Sequence, residues 1–200
     1  MNLILIGLSL IFIDITVAFG AHHIDFTPDF IGYIILLAGC SRLIGESEKF
    51  KKIRPFSMFM ALYSAVVYLL DALGLTFAGM GGLRGALYIA AVFVPLYMVY
   101  MIILAVHDIE VERHAALGYK TLYRMFTPLA VTQTLAFVFS VVYADLAAVT
   151  STAASAFGVL FMYYFYRTKR AYDSLPPKES ESGQSGDGEK KETVWERYNR

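Results

Sequence analysis

The chain has 200 residues, of which 57% are hydrophobic, 15% aromatic and only 17% charged, with a formal net charge of zero. That is more apolar and less charged than ordinary globular proteins, and nearly all of the charges fall outside the long apolar runs. A neutral chain lacks the basic face that a nucleic-acid partner requires, and its single cysteine, Cys40, excludes an intrachain disulfide.

The apolar runs are Leu3–Phe19, Phe30–Ile44, Phe56–Phe77, Ala86–Val106, Phe126–Tyr143 and Ala148–Tyr166. Each is long enough for a membrane helix, and in lipid only a helix satisfies an open-ended backbone. The expected fold is all-α: an integral membrane bundle of six transmembrane helices over residues 1–172, then a disordered cytoplasmic tail over 173–200. Five spans would remain if the first run were a cleaved signal peptide. Ala18-Phe19-Gly20 has the small-x-small form of a cleavage site, but the run opens without Lys or Arg and contains Asp14, so retention is expected. Counted from Leu3, Asp14 falls ~16 Å up a helix, near the bilayer centre. A carboxylate there costs about 2.5–3.5 kcal/mol on the insertion scale, so it needs a partner or a proton.

Ile24 to Tyr33, IDFTPDFIGY, is a polar hinge between the first two runs. Thr27 can cap a helix, Pro28 suits its first position, and Asp29 meets the positive end of the dipole. An extended loop leading into a capped helix fits this stretch better than a strand. The helix expected from Pro28 to about Ile44 spans ~26 Å, the short end of what crosses a bilayer. With Asp25, Pro28, Asp29, Phe30, Ile31, Gly32 and Tyr33 in place, the stretch resembles the hinge of a family of small multi-pass membrane proteins from Gram-positive bacteria. The resemblance covers about the first fifty-five residues. It implies a membrane location and a helical fold, and no catalytic activity.

Orientation follows from Lys and Arg. The second loop carries Arg42, Lys49, Lys51, Lys52 and Arg54, the fourth Arg113, Lys120 and Arg124, and the tail begins with Arg167, Lys169 and Arg170. Among the odd loops only Arg84 occurs. Both termini are therefore expected in the cytoplasm and the hinge outside, in a multi-pass protein of the bacterial cell membrane. The strip Lys49, Lys51, Lys52 and Arg54, with Phe50 and Ile53, suits an anionic inner leaflet, although a solvated loop is the simpler reading. Pro95 should kink the fourth helix. Phe126-Thr127-Pro128 repeats Phe26-Thr27-Pro28 and reads as a second capped helix start. Ala154 and Gly158 have the spacing of close helix packing. Phe161 to Tyr166 reads as an aromatic belt before Arg167.

Chemistry is sparse. No nucleophile elbow, zinc-protease motif or phosphate loop occurs, so neither an enzyme nor a cofactor is expected. His22, His23 and Asp25 lack a further ligand at a diagnostic spacing, and His107, Glu110 and His114 read as one face of a solvated helix. Asp14, Asp71 and Asp145 stand in the outer halves or at the outer ends of the odd helices. They suggest a polar path for protons, cations or a cationic solute, in a transport protein that six spans would require to dimerise. Against this stands a scaffold or sensor that binds a protein or anionic lipid, its acids serving only as interhelical hydrogen-bonding groups. Gln133, Thr132, Thr134, Thr150, Ser151, Thr152 and Ser155 serve either reading, as lining or as glue.

Overall fold

The computed structural model describes residues 1–12, 16–19, 22–25, 29–73 and 81–176. Those residues form six helices and a hairpin: α1 (Asn2–Phe12), β1 (Thr16–Phe19), β2 (His22–Asp25), α2 (Asp29–Arg42), α3 (Lys49–Ala72), α4 (Gly81–Glu112), α5 (Tyr119–Val142) and α6 (Ala144–Asp173). Each helix packs against its neighbours in sequence, and α1 also touches α6, which closes the bundle. Met1 lies within the electrostatic reach of Arg42, Glu46, Lys169 and Asp173. The start of α1 and the ends of α2 and α6 therefore share one end of the bundle, the basic end.

Four helical segments, Lys49–Leu70, Gly85–Glu112, Tyr119–Val142 and Asp145–Asp173, are long and apolar enough to cross a membrane. Their outer surfaces carry large apolar side chains. On α3 and the residue that follows it, Met58, Leu62, Leu69 and Leu73 are 59–70% exposed, a stripe that water would not tolerate and lipid would solvate. These are the features of a multi-pass membrane protein. The first two runs behave differently. With 11 and 14 residues, α1 and α2 extend only ~16 and ~21 Å, short of a ~30 Å hydrocarbon core.

The first run is thus not one helix. It gives α1 and then β1, which pairs antiparallel with β2 from Thr16↔Asp25 to Phe19↔His22. Thr16 and Val17 are β-branched and favour a strand. The expectation of a strand-free hinge is corrected at Ile24 and Asp25, which belong to β2. Asp14, Thr27 and Pro28 lie outside the described residues, as does the tail from 177.

α1 and α2 approach closely because glycines face each other. A Cβ on Gly7 would lie 2.8 Å from the Gly32 carbonyl oxygen, and one on Gly39 2.9 Å from the Ile4 nitrogen. Small residues allow the same approach between helices in membranes generally. Gly158, by contrast, has nothing within 4 Å of an added Cβ, so the Ala154–Gly158 spacing does not mark a close helix contact.

Two other expectations change. Phe126-Thr127-Pro128 is not a helix start, because α5 begins at Tyr119 and Pro128 lies inside it. Thr127 donates its hydroxyl to the Tyr123 carbonyl at 3.1 Å, the back-bonding of a mid-helix threonine. The aromatic cluster of α6 divides by face: Phe161 and Phe165 are fully buried and stacked, while Tyr163 and Tyr166 point outward. Only the tyrosines can serve at an interface.

The core sits at the basic end. Phe50, Ile53, Ile102, Ile103, Ile109 and Leu122 are fully buried there, joined by Phe161 and Phe165. At the opposite end, the far end, Val141, Val142, Tyr143 and Val149 are 60–76% exposed. Buried side chains concentrate at the basic end and thin out toward the far end.

Candidate functional site

The far end holds a cleft of about 340 Å³ between α4, α5 and α6. Its walls are apolar at Val92 and Phe137 and polar at Tyr88, Gln133, Ser140 and Ser151. The α5–α6 connection sets its mouth. A single extended residue, Tyr143 (φ −145°, ψ 101°), joins the two helices, and its N–H donates to the Phe139 carbonyl at 2.7 Å. With so short a turn, α5 and α6 run antiparallel in contact, and α4 forms the third wall. Phe137 is held between Tyr88 (5.3 Å between centroids) and Phe93 (5.8 Å). The Tyr88 and Ser140 hydroxyls stand 3.5 Å apart across the cleft.

Gln133 lies deepest. Nine residues before the end of α5, it sits ~14 Å below the mouth. Its carboxamide makes no hydrogen bond among the described residues. Half-buried, it offers both donors and an acceptor to whatever enters the cleft. Ser151 faces the same cleft, but the other hydroxyls considered with it do not bridge helices. Thr132, Thr134, Thr150, Thr152 and Ser155 each donate to a carbonyl of their own helix, at 2.7–3.1 Å. Tyr88 and Ser140 were not legible in advance: pairing them requires knowing that α4 and α5 meet at those heights.

Of the three acids read as a path, only the Asp145 side chain is among the described residues. Asp145 is exposed in the first turn of α6, where its charge favours the helix dipole. Asp71 belongs to α3, but its side chain, like Asp14, lies outside the described residues. The cleft lining itself is uncharged. In the hinge, Asp29 opens α2, while Gly32 and Tyr33 are buried against α1 and within the core. Tyr33 also accepts, through its carbonyl, a 2.8 Å hydrogen bond from the buried Ser57 hydroxyl of α3.

The basic end is held by a polar clasp. Arg113 grips Glu46 through Nε (3.0 Å) and Nη2 (2.5 Å), with both side chains 15% exposed. Its Nη1 donates to the Pro176 carbonyl at 2.9 Å, and its guanidinium lies 5.9 Å from the Tyr172 ring centroid. One arginine therefore ties the α2–α3 loop, the end of α4 and the end of α6. Asp108 pairs with Lys49 and accepts from the Ser47 hydroxyl at 2.7 Å. Glu110 accepts from the Tyr119 N–H at 3.0 Å, giving the otherwise uncapped α5 its cap, and His107 packs on the Tyr119 ring at 4.4 Å.

This changes two sequence readings. Lys49 is engaged by Asp108, and Phe50 and Ile53 point into the core, so only Lys51, Lys52 and Arg54 of the basic strip are exposed. Glu110 is a helix cap rather than part of a solvated face. Among the described residues no cluster of His, Cys, Asp and Glu could hold a metal ion. The side chains of His22, His23 and Asp25 lie outside that description. Comparison with protein-family models, with curated proteins and with solved structures returns no match for this chain.

Proposed function

We propose that this membrane protein takes a small, uncharged, hydrogen-bonding solute into the cleft between α4, α5 and α6. The observation that carries this reading is the Gln133 carboxamide, deep in a cleft that also offers three hydroxyls and no charge. An amide and hydroxyls discriminate by leaving unpaired groups when the wrong solute enters, which is how buried polar sites gain selectivity. With the basic end in the cytoplasm, as the Lys and Arg distribution indicates, the cleft opens outward. Its kinship with the Gram-positive membrane proteins that share the Asp25–Tyr33 pattern is part of the same proposal.

Movement of the solute across the membrane would need a second opening at the basic end, where the Glu46–Arg113–Tyr172 clasp and the core form a seal. That seal favours a sensor that binds outside without transporting. The rival remains a cation path using Asp14, Asp71 and Asp145, of which Asp145 stands within a turn of the cleft residues Ala147 and Ala148.

Thermal unfolding of the purified full chain in detergent, across a panel of polyols, sugars, amides, polyamines and quaternary amines, separates these readings. A neutral solute that stabilises the wild type but not Gln133→Leu is the expected result. Stabilisation by polyamines that survives Gln133→Leu and disappears in Asp145→Asn would overturn it in favour of the acid path. Uptake of the stabilising solute into proteoliposomes then distinguishes transport from sensing.

A further inference from the structure

A second cavity, of about 210 Å³, lies at the basic end between the first turns of α5 and the last turns of α6. Tyr164, Arg167, Thr168 and Ala171 line it from α6 at spacings of three and four, which is one helical face. Leu117, Gly118, Thr121 and Leu122 line it from the α5 side. Thr168, 3% exposed, donates its hydroxyl to the Leu117 carbonyl at 2.9 Å and so fixes the approach to α5 against α6. Gly118 makes the turn into α5 with φ +88°, a conformation other residues adopt only with strain.

Arg167 therefore lines this pocket while remaining exposed. The described acids around it are engaged elsewhere: Glu46 with Arg113, Asp108 with Lys49, Asp173 with Lys169, and Glu110 with the Tyr119 N–H. Arg167 forms no ion pair among the described residues. Lys120 and Arg124 on α5 and Arg170 on α6, all exposed, lie within a turn or so of the lining and raise the local positive potential. The outward-facing Tyr163 and Tyr166 precede Arg167 on α6 and suit the membrane–water interface, so the pocket sits at headgroup level.

We propose that this pocket binds a phosphoryl group. Arg167 supplies the forked donor that matches phosphate oxygens, Thr121 adds a hydroxyl-bearing side chain to the same lining, and Leu117 and Leu122 add apolar surface for the ester carbons. Because Glu110 already occupies the α5 N-terminus, the attraction comes from Arg167 and not from the helix dipole. The cavity is smaller than the ~300–1,000 Å³ of pockets for drug-sized ligands, so it admits a headgroup and not a whole large molecule. Basic pockets between transmembrane helices hold anionic headgroups in this way. The same chemistry fits a soluble phosphate, and the test separates the two sources.

Purified full-length protein in neutral detergent is titrated with phosphatidylglycerol, phosphatidylcholine or inorganic phosphate, with thermal unfolding as the readout. Phosphatidylglycerol is expected to stabilise the wild type, with apparent affinity about tenfold weaker in Arg167→Gln, the usual scale for losing one charged hydrogen-bonding group. Arg167→Lys should fall between, since it keeps the charge and loses the fork. A variant with Lys51→Gln, Lys52→Gln and Arg54→Gln should respond like the wild type. A shift reproduced by inorganic phosphate marks a soluble source, and a shift given by phosphatidylglycerol alone marks lipid. The proposal is overturned if neither reagent shifts the wild type, if Arg167→Gln responds as the wild type does, or if the triple variant abolishes the response. None of these outcomes depends on the cleft at the other end.

Discussion

Replacing Gly7 with alanine inserts a methyl group 2.8 Å from the Gly32 carbonyl oxygen, 2.8 Å from the Leu36 nitrogen and 3.0 Å from the Leu36 Cα. All three atoms belong to the backbone of α2, which cannot rotate away as a side chain could. Restoring ordinary contact near 3.4 Å requires α1 and α2 to separate by about 0.6 Å, a gap that forfeits roughly a quarter of the dispersion energy across the interface. Ile4 and Leu8, both essentially buried, supply much of the α1 side. If about half of the ~50 contacts each makes cross that interface at ~0.15 kcal/mol, the loss is about 2 kcal/mol. The gain in helix propensity on going from glycine to alanine offsets ~1 kcal/mol, leaving Gly7→Ala destabilised by about 1 kcal/mol. Gly158→Ala collects the same propensity gain with nothing to collide with, so it should be stabilised by up to ~1 kcal/mol. Unfolding in mixed micelles by titration with sodium dodecyl sulfate measures both. The reasoning fails if the two variants shift stability in the same direction by the same amount.

The clasp should be the next most sensitive feature. Arg113→Ala removes the Glu46 pair together with the Pro176 and Tyr172 contacts, and should cost ~2–4 kcal/mol while exposing 173–176 to limited proteolysis; intact resistance to protease would contradict it. Ser57→Ala loses the buried hydrogen bond to the Tyr33 carbonyl, and a drop of ~1 kcal/mol is expected in the same detergent assay. Gly118→Ala must hold φ near +88°, so it should lose ~1–2 kcal/mol, in contrast to Gly85→Ala, which meets neither strain nor a neighbour.

Much of the architecture was legible because lipid imposes simple rules. Hydropathy located the four long helices, and the one-residue link at Tyr143 follows from how little chain separates the last two runs. What failed was length-counting where propensity changes inside an apolar run. Thr16 to Phe19 continue an apolar run, yet they pair as a strand, and hydropathy is blind to that difference. Thr127-Pro128 misled because a capping threonine and a back-bonding threonine look alike until the preceding turn is known to be helical. The clasp was hidden for another reason. Glu46 and Arg113 are 67 residues apart, so only the tertiary fold shows that these loop charges meet each other rather than water. The cleft was half visible: Gln133 and Ser151 stood out as polar groups in apolar helices, but Tyr88 and Ser140 became relevant only through helix heights.

The proposed arrangement is a bundle closed at its basic end, with that end inside the cell and the cleft open to the outside. In a Cys40→Ala background, Gln133→Cys, Ser140→Cys and Lys51→Cys are treated in intact cells with a membrane-impermeant thiol reagent. The account predicts labelling at 133 and 140 and none at 51 until the cells are lysed. Labelling at 51 in intact cells, with 133 and 140 protected, would contradict both the orientation and the outward cleft.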